Sequence, residues 1–250
     1  MTNDNRKRLT ASDRPEALGS ILDGLGQIRK RTAEEEAEFR AKEVAAQRHR
    51  EAVDRSGWLV NLERELGPRY GRNRVSLDTY SVYDEEQRKV IKRVREIESK
   101  LEAMIADGAG LVLFGWVGTG KDHLAAALLY SAVRLTSCKW ANGRKVFGES
   151  RDRIKEERTE RELIDSLTRP GVLCISDAIP IEGRQSDWNT DLMYRVVDER
   201  YHLLRPTWIT ANVRDTDDAQ ARFTQPVWDR LRDQAELIPC FWSSFRRERK

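Results

Sequence analysis

The stretch that decides the fold is LVLFGWVGTGKDHLAAALLY, Leu111 to Tyr130. An apolar run opens it, a glycine-rich turn follows, and the alanines and leucines after the turn favour a helix. Within it, GWVGTGKD (Gly115 to Asp122) has the glycine and lysine spacing of a phosphate-binding loop, placed between a strand and a helix as such a loop requires. The stretch therefore predicts a nucleotide site at the end of a buried strand.

The loop is expected to hold phosphate through its backbone and one cation. Glycines let backbone N–H groups turn inward around phosphate oxygens, and the start of the following helix adds the positive end of its dipole. Lys121 would reach the β- and γ-phosphates, whereas His123 is a packing residue of the first helical turn more than a catalyst. The residues predicted to form the nucleotide-binding loop are Gly115, Gly118, Thr119, Gly120, Lys121, Asp122 and His123.

Asp122 stands where such loops have a serine or threonine, whose hydroxyl holds Mg²⁺. A carboxylate ~4 Å from a phosphate charge is repelled by about 4 kcal/mol at an effective dielectric near 20, unless a cation intervenes. The site has therefore either decayed or binds its metal ion in another way.

Apolar and helical segments alternate through the rest of the chain. Near-continuous apolar strands separated by helices imply a parallel sheet that is covered on both faces. The predicted fold class is therefore α/β, with three α/β/α layers around a parallel five-stranded sheet. The predicted strands are 110–115, 138–143, 171–178, 205–213 and 237–242, and the predicted helices are 120–135, 151–167, 187–204 and 225–236.

Two further segments precede this core, which is predicted to span 109–250. Residues 1–56 are predicted as a charged helical or partly disordered N-terminal arm that could bind a partner, because acid–base pairs recur at helical spacing while the apolar stripe is thin. Residues 57–108 are predicted as a linker and lead-in helix. In that segment VSLDTYSVY (75–83) is β-prone, and the amphipathic run 84–108 has Asp84 as its N-cap and Gly108 as its stop.

Net charge, cysteine spacing and the lengths of the apolar runs limit the class of protein to which this chain can belong. A net charge of +3 does not by itself indicate nucleic-acid binding, although the basic stretches 145–158 and 243–250 could contact phosphates. The three cysteines are widely spaced in apolar surroundings, so neither a zinc site nor a disulfide framework is indicated. Because no run approaches the ~20 apolar residues of a membrane span and no signal core is present, we expect a cytoplasmic protein.

Four motifs in order carry a resemblance to a known family. GTGKDHLAAAL (118–128), SLDTYSVYDEEQ (76–87), DERYHLLRPTWITANV (198–213) and WDRLRDQAELIPCFWSSFR (228–246) resemble segments of the DnaC/IstB family of AAA+ ATPases. The resemblance covers roughly Arg69 to Arg246. It implies an AAA+ P-loop fold, ATP with Mg²⁺ as cofactors, and self-association through the ATPase core. It also implies single-stranded DNA and a replicative helicase as partners, the helicase through the N-terminal arm.

The resemblance also implies roles for three polar residues. Asn212, at the end of TWITAN, occupies the sensor position beside the γ-phosphate. Arg230, in WDRLRD, resembles the arginine finger that reaches a neighbouring subunit's nucleotide and stabilises charge on the transferred phosphoryl group. Arg246, in SSFR, occupies the place of the second sensor arginine.

The end of the strand in VLCISDAIP departs from the family's pattern and can be aligned in two ways. If Asp177 is the metal-side acid, Ala178 replaces the glutamate that orients water, and ATP would be bound but turned over slowly. If the four apolar residues before Ser176 set the register, Ser176 takes the metal-side place and Asp177 orients water. The hydroxyl and the carboxylate would then have exchanged places, with the carboxylate of Asp122 on the loop and the hydroxyl of Ser176 on the strand. In this exchange hypothesis, Asp122, Ser176 and Asp177 surround the metal ion.

Three functions fit these patterns. The first is a DnaC-like ATP-binding protein, and an ATPase with atypical motifs, that loads a replicative helicase on single-stranded DNA during the initiation of DNA replication. The second is an IstB-like transposition or phage accessory that works as an ATP switch with slow or no hydrolysis. The third is an adaptor that retains the fold for protein contacts only.

Overall fold

The computed structural model describes residues 32–146, 160–179 and 187–246. The chain divides into two compact units, Met1–Glu51 and Ala52–Lys250. In the first unit the described part is helical and exposed from residue 33 onward. The first 31 residues of the predicted arm, the start of the predicted helix 151–167 and most of the two basic stretches lie outside the described residues.

Helices and strands follow one another in the second unit in the predicted order, with two differences: a helix at Thr216–Phe223 was not predicted, and the last strand begins at Ala235, inside the predicted helix 225–236. A 3₁₀-helix, Pro68–Tyr70, follows the first α-helix. The α-helices with both ends among the described residues are α1 (Ala33–Leu66), α2 (Glu85–Ser99), α3 (Leu101–Ala106), α4 (Lys121–Ala132), α5 (Glu160–Thr168), α6 (Asp187–His202), α7 (Thr216–Phe223) and α8 (Gln225–Gln234), and residues 143–146 are also helical. The strands are β1 (Gly110–Gly115), β2 (Cys138–Asn142), β3 (Val172–Ser176), β4 (Thr207–Asn212) and β5 (Ala235–Cys240).

The five strands form one parallel sheet in the order β2-β3-β4-β1-β5. One face packs against α4 and α2, and the other packs against α5, α6 and α8. The strands are buried because both faces are covered, which is why they read as apolar runs. The predicted three-layer α/β/α fold is confirmed, and the carboxyl ends of β1, β3 and β4 meet at one edge.

The segment before the sheet differs from its prediction in detail. Residues 75–83 form turns and not a strand, because the side chains of Ser76 and Thr79 bond the local backbone. The predicted helix 84–108 is divided at Lys100 into α2 and α3, while Asp84 caps α2 with a full capping box, as expected. Helices α2 and α3 supply Val94, Ile97 and Leu101 to the core of the second unit.

The cysteines and the apolar character of the helices were considered in the sequence as well. The three cysteines are free and buried, and burial raises the pKa of each thiol. In the part of the chain that the structure describes, no helix combines the length and apolar character needed to cross a membrane.

Arg200, on α6, joins three segments at the amino-terminal edge of the sheet. Its guanidinium group is fully buried, and burial lowers its pKa to about 9. The cation is stabilised by backbone oxygens that converge on it from the end of α5, the start of β3 and the start of β4. It donates hydrogen bonds to Thr207 Oγ1 and to the carbonyls of Leu167, Thr168, Pro170, Gly171 and Pro206.

We expect Arg200→Met to lower the free energy of unfolding by about 3 kcal/mol, because it leaves several buried carbonyls without donors. Urea unfolding followed by circular dichroism measures the change. Arg195→Met is the matched control, since Arg195 lies on the same helix but pairs at the surface with Glu160 and Asp191. Exposed ion pairs are worth about 0–1 kcal/mol, so the control should remain near the wild type. Equal effects of the two substitutions would contradict the role assigned to Arg200.

Candidate nucleotide-binding site

The phosphate-binding loop joins β1 to α4 and depends on two glycines with left-handed backbone. Gly118 has φ +83° and Gly120 has φ +85°, which side-chain-bearing residues rarely adopt. A Cβ atom at Gly118 would lie 2.0 Å from Ser244 Oγ, and one at Gly120 would lie 2.7 Å from the ring of Tyr80. The glycines are therefore required both by the turn and by the segments packed on it.

Segments from both ends of the second unit hold the loop in place. The Thr119 carbonyl accepts hydrogen bonds from the Tyr80 hydroxyl at 2.7 Å and from Trp242 Nε1 at 3.1 Å. The backbone N–H of Phe245 donates to the Gly118 carbonyl at 2.9 Å. Because these bonds engage two consecutive carbonyls of the loop, they restrict its conformation.

Lys121 is buried at the base of the loop. Its ammonium group donates to the Gly115 carbonyl at 3.2 Å, the Trp116 carbonyl at 2.6 Å and Thr119 Oγ1 at 3.3 Å. Burial lowers the pKa of Lys121, while the nearby charges of Asp122 and Asp177 oppose that shift. The ammonium is thus a desolvated cation inside the loop, where it would interact strongly with an anion.

Both carboxylate oxygens of Asp122 accept hydrogen bonds from hydroxyl groups. Thr210 Oγ1 donates to Oδ1 at 2.6 Å, and the Tyr70 hydroxyl donates to Oδ2 at 3.3 Å. Burial raises the pKa of Asp122, and the charge of Asp177 adds to the effect, whereas the bond from Thr210 opposes it. Burial and the charge of Asp122 together raise the pKa of Tyr70 to about 12, so Tyr70 remains a neutral donor.

Asp177 lies immediately after β3 in a left-handed conformation, with φ 48°. Its Oδ1 accepts a hydrogen bond from Asn212 Nδ2 at 2.6 Å, and its backbone N–H donates to Thr210 Oγ1 at 3.0 Å. Two residues of β4, Thr210 and Asn212, therefore position Asp177 through its backbone and its side chain.

Ser176, at the end of β3, is buried and accepts a hydrogen bond from Asn142 Nδ2 at 3.4 Å. It occupies the same sheet face as Thr210, because Ile175 pairs with Ile209 and alternate residues share a face. The hydroxyl that contacts Asp122, however, is that of Thr210. The place of Ser176 on the strand side of the metal ion, opposite Asp122 on the loop, stays a prediction.

These groups surround a cavity of about 580 Å³. Five cationic side chains and two carboxylates line it, which gives an excess of positive charge that suits a polyphosphate. The cations are Arg69, Arg74, Lys121, Arg144 and Arg246, and the carboxylates are Asp122 and Asp177.

Most of the residues predicted for the site line this cavity. Among the described residues, the lining includes Gly118, Gly120, Lys121, Asp122, His123, Asp177, Asn212 and Arg246, but not Gly115, Thr119, Ser176 or Arg230. Gly115 and Thr119 instead shape the loop through their backbone and side-chain bonds to Lys121. His123 bonds the Ser76 carbonyl at 2.9 Å, so it attaches the segment before the sheet to α4.

Arg230, on α8, lies outside the cavity lining. It forms an ion pair with Asp198 of α6, and its guanidinium carbon lies 5.0 Å from the ring centroid of Tyr194. This side chain is partly exposed and does not contact the cavity of its own chain.

Comparison with known proteins identifies the family of this chain. The sequence profile of the family described as IstB-like ATP binding protein matches residues 70–250. The chain belongs to this family. The replicative helicase loader DnaC of Escherichia coli strain K12 is 26% identical to this IstB-like protein over 201 residues, which cover 78% of this chain and 80% of DnaC.

Solved structures are similar in fold. The crystal structure of the DnaC helicase loader matches with a TM-score of 0.61 at 23% identity and covers 70% of this chain and 99% of that one. The replication initiator DnaA bound to AMPPCP and single-stranded DNA matches with a TM-score of 0.56 at 16% identity, over 71% of this chain and 51% of DnaA. The AAA+ P-loop fold implied by the resemblance is thereby confirmed.

The carboxylates of this IstB-like protein suit Mg²⁺. This ion takes oxygen ligands, and proteins usually bind it through one or two carboxylates together with the phosphates of a nucleotide. Asp122 and Asp177 line one cavity, and the charge of Asp177 adds to the effect of burial in raising the pKa of Asp122, which a divalent cation would oppose. Within the described ranges, no cluster of three or more His, Cys, Asp and Glu side chains forms a complete protein cage for a metal.

Several residues that line or organise this site were not predicted from the sequence. Thr210 lies two residues before Asn212 on the same strand, and that spacing was the available signal, because alternate residues of a strand share a face. Tyr70 and three arginines lie in a single 3₁₀ turn, a loop turn or the start of a helix after β2, where too few residues precede them for periodicity to indicate which way a side chain points. The missed arginines are Arg69, Arg74 and Arg144.

Asp122→Asn separates the two explanations of the unusual loop. If Asp122 helps to hold Mg²⁺, the substitution weakens ADP binding in Mg²⁺ by at least about tenfold. In EDTA it strengthens binding, because no cation then offsets the repulsion between the carboxylate and the phosphates. If Asp122 only repels phosphate, the substitution strengthens binding in both buffers.

Fluorescence titration with a labelled ADP, in Mg²⁺ and in EDTA, distinguishes these outcomes. Asp191→Asn makes the same change at an exposed acid outside the cavity lining and should have no effect. Stronger binding by Asp122→Asn in both buffers would show that the loop acid is a defect.

Proposed function

We propose that this chain binds ATP with Mg²⁺ and uses ATP-dependent assembly in the cytoplasm to load a replicative helicase on single-stranded DNA. The observation that carries the proposal is the placement of a preformed phosphate-binding loop, with the buried Lys121, in a cavity that two carboxylates and four arginines also line. Membership of the family of IstB-like ATP-binding proteins supports the proposed binding of ATP. The likeness to DnaC supports the helicase-loading part.

The roles of the cavity residues follow from their contacts. The N–H groups of the loop and Lys121 would bind phosphate oxygens, and Asp122 and Asp177 would hold Mg²⁺. When bound, Mg²⁺ neutralises charge on the phosphates. Asn212 fixes the Asp177 carboxylate by its 2.6 Å hydrogen bond. Arg246 lines the same cavity and would meet the phosphates from the C-terminal segment.

Hydrolysis is expected to be slow. At the end of β3, Asp177 lines the cavity while Ser176 and Ala178 are buried, so a single acid is available there for both metal binding and water activation. Efficient phosphoryl transfer uses separate groups for these tasks. Slow turnover suits a protein in which the bound nucleotide controls assembly.

Contacts with other molecules are proposed for two regions. Residues 33–51 form an exposed helical segment that includes Phe39 and Val44, which is consistent with a docking arm for a helicase. Single-stranded DNA is proposed as a ligand of the assembled core. The IstB-like description of the family also favours a second candidate, a transposition accessory that works as an ATP switch.

One experiment separates these candidates. The full chain is mixed with ATP, Mg²⁺, single-stranded DNA and either the replicative helicase or a transposase of the same cell, and complexes are resolved by size-exclusion chromatography. Helicase loading predicts a nucleotide-dependent complex with the helicase that transfers it to the DNA. A complex with the transposase alone would favour the accessory function, and nucleotide-independent binding would favour an adaptor.

Arg230 is expected to act on the nucleotide of a neighbouring subunit. Arg230→Ala and Lys121→Ala should each lower the ATPase rate by at least about tenfold, the first by removing the finger and the second by removing phosphate binding. In a mixture, an Arg230→Ala subunit can bind ATP while a Lys121→Ala neighbour supplies Arg230. The mixture should therefore be more active than the sum of the two variants alone.

Arg232→Ala is the matched control, because Arg232 is an exposed arginine on the same helix. It should leave the rate unchanged. A mixture no more active than its components would contradict action between subunits.

A further inference from the structure

Thr210 is in contact with both candidate metal-binding segments. Its hydroxyl oxygen accepts the backbone N–H of Asp177 at 3.0 Å, and the same hydroxyl donates to Asp122 Oδ1 at 2.6 Å. A backbone N–H can only donate, so the oxygen must accept on that side and its proton is directed at Asp122. The hydrogen bond between strand and loop therefore has one defined direction.

The position of the Thr210 hydroxyl bears on the unusual presence of Asp122 in the phosphate-binding loop. Phosphate-binding loops of this kind carry a hydroxyl at the position of Asp122, whereas here a carboxylate stands there and the adjacent hydroxyl comes from β4. Ser176, on the neighbouring strand, is bonded to Asn142 instead. The hydroxyl that contacts the acid of the loop is thus supplied by Thr210.

We propose that Thr210 is a positioning residue that holds the Asp122 carboxylate and the start of the Asp177 segment in one arrangement, competent to bind a divalent cation beside the nucleotide. This proposal rests on the nucleotide and Mg²⁺ binding proposed above. Groups that hydrogen-bond metal ligands orient them, and their loss typically weakens metal binding by about 10- to 100-fold. Thr210 is almost completely buried, so no solvent molecule readily replaces its bond.

Thr210→Val tests the hydroxyl with little change of shape. It leaves Asp122 Oδ1 and the Asp177 N–H without their shared partner, while the β-branched form that suits a strand is kept. Thr210→Ser restores the hydroxyl without the methyl group. Thr207→Val is the matched control, because Thr207 is a buried threonine of the same strand whose hydroxyl accepts from Arg200 at the far end.

The measurement is the affinity of the protein–ADP complex for Mn²⁺, followed by electron paramagnetic resonance of free Mn²⁺, with ADP affinity in EDTA measured alongside. For Thr210→Val we expect Mn²⁺ affinity to fall by about 10- to 100-fold while ADP affinity in EDTA stays near that of the wild type. Thr210→Ser should bind Mn²⁺ like the wild type, and so should Thr207→Val. Thermal unfolding of each variant checks that the fold is retained.

Several results would overturn the proposal. Wild-type Mn²⁺ affinity in Thr210→Val would show that the hydroxyl does not position the metal ligands. A loss in Thr210→Ser as large as that in Thr210→Val would assign the effect to packing of the methyl group. If the wild-type protein binds ADP equally well with and without Mn²⁺, the proposed metal site is refuted but the nucleotide site is not. If the wild-type protein does not bind ADP at all, the proposed function is refuted as well.

Discussion

The Thr119 carbonyl accepts two hydrogen bonds, from Tyr80 and from Trp242, and the shape of the nucleotide site depends on that contact. The two donors belong to segments that lie before and after the sheet, so the conformation of the loop depends on these segments as well as on its own glycines. The aromatic rings of Tyr80 and Phe245 pack edge to face at 5.2 Å over Gly120, which leaves room for glycine and for no larger residue. The loop is consequently preorganised, which reduces the conformational cost of binding a phosphate chain.

Buried charged side chains have different surroundings at the two edges of the sheet. At the amino-terminal edge, Arg200 is surrounded by carbonyl oxygens that satisfy it completely, and the arrangement serves the fold. At the carboxyl-terminal edge, Lys121, Asp122 and Asp177 are brought together with four arginines around a cavity. Charged groups kept partly desolvated and open to a cavity interact strongly with a ligand of matching charge, which is the expected arrangement for a nucleotide site.

The sequence was sufficient for the fold and for the elements that carry the site, because periodicity and glycine spacing are local properties. The strand, loop and helix around Gly115–Asp122 and the parallel sheet were predicted from such patterns, and the structure confirms them. The partner of Asp122 could not be found in the same way, since Thr210 is 88 residues away and meets it only when β4 and α4 pack. The same holds for Tyr70, 52 residues before Asp122, and for Arg200, whose six partners come from three elements. Residues 75–83 are β-prone by composition, but their Ser and Thr side chains bond the local backbone into turns.

The central claim is that the carboxylate of Asp122 belongs to a working nucleotide site and is not a sign of its decay. A crystal structure with AMPPCP and Mn²⁺, with anomalous scattering to locate the metal, tests this claim most directly. The account predicts phosphate oxygens on the backbone N–H groups between Gly118 and Lys121, and an anomalous peak beside Asp122 and Asp177. A cavity without nucleotide, or a metal ion bound to the phosphates with Asp122 turned away from it, would contradict the account.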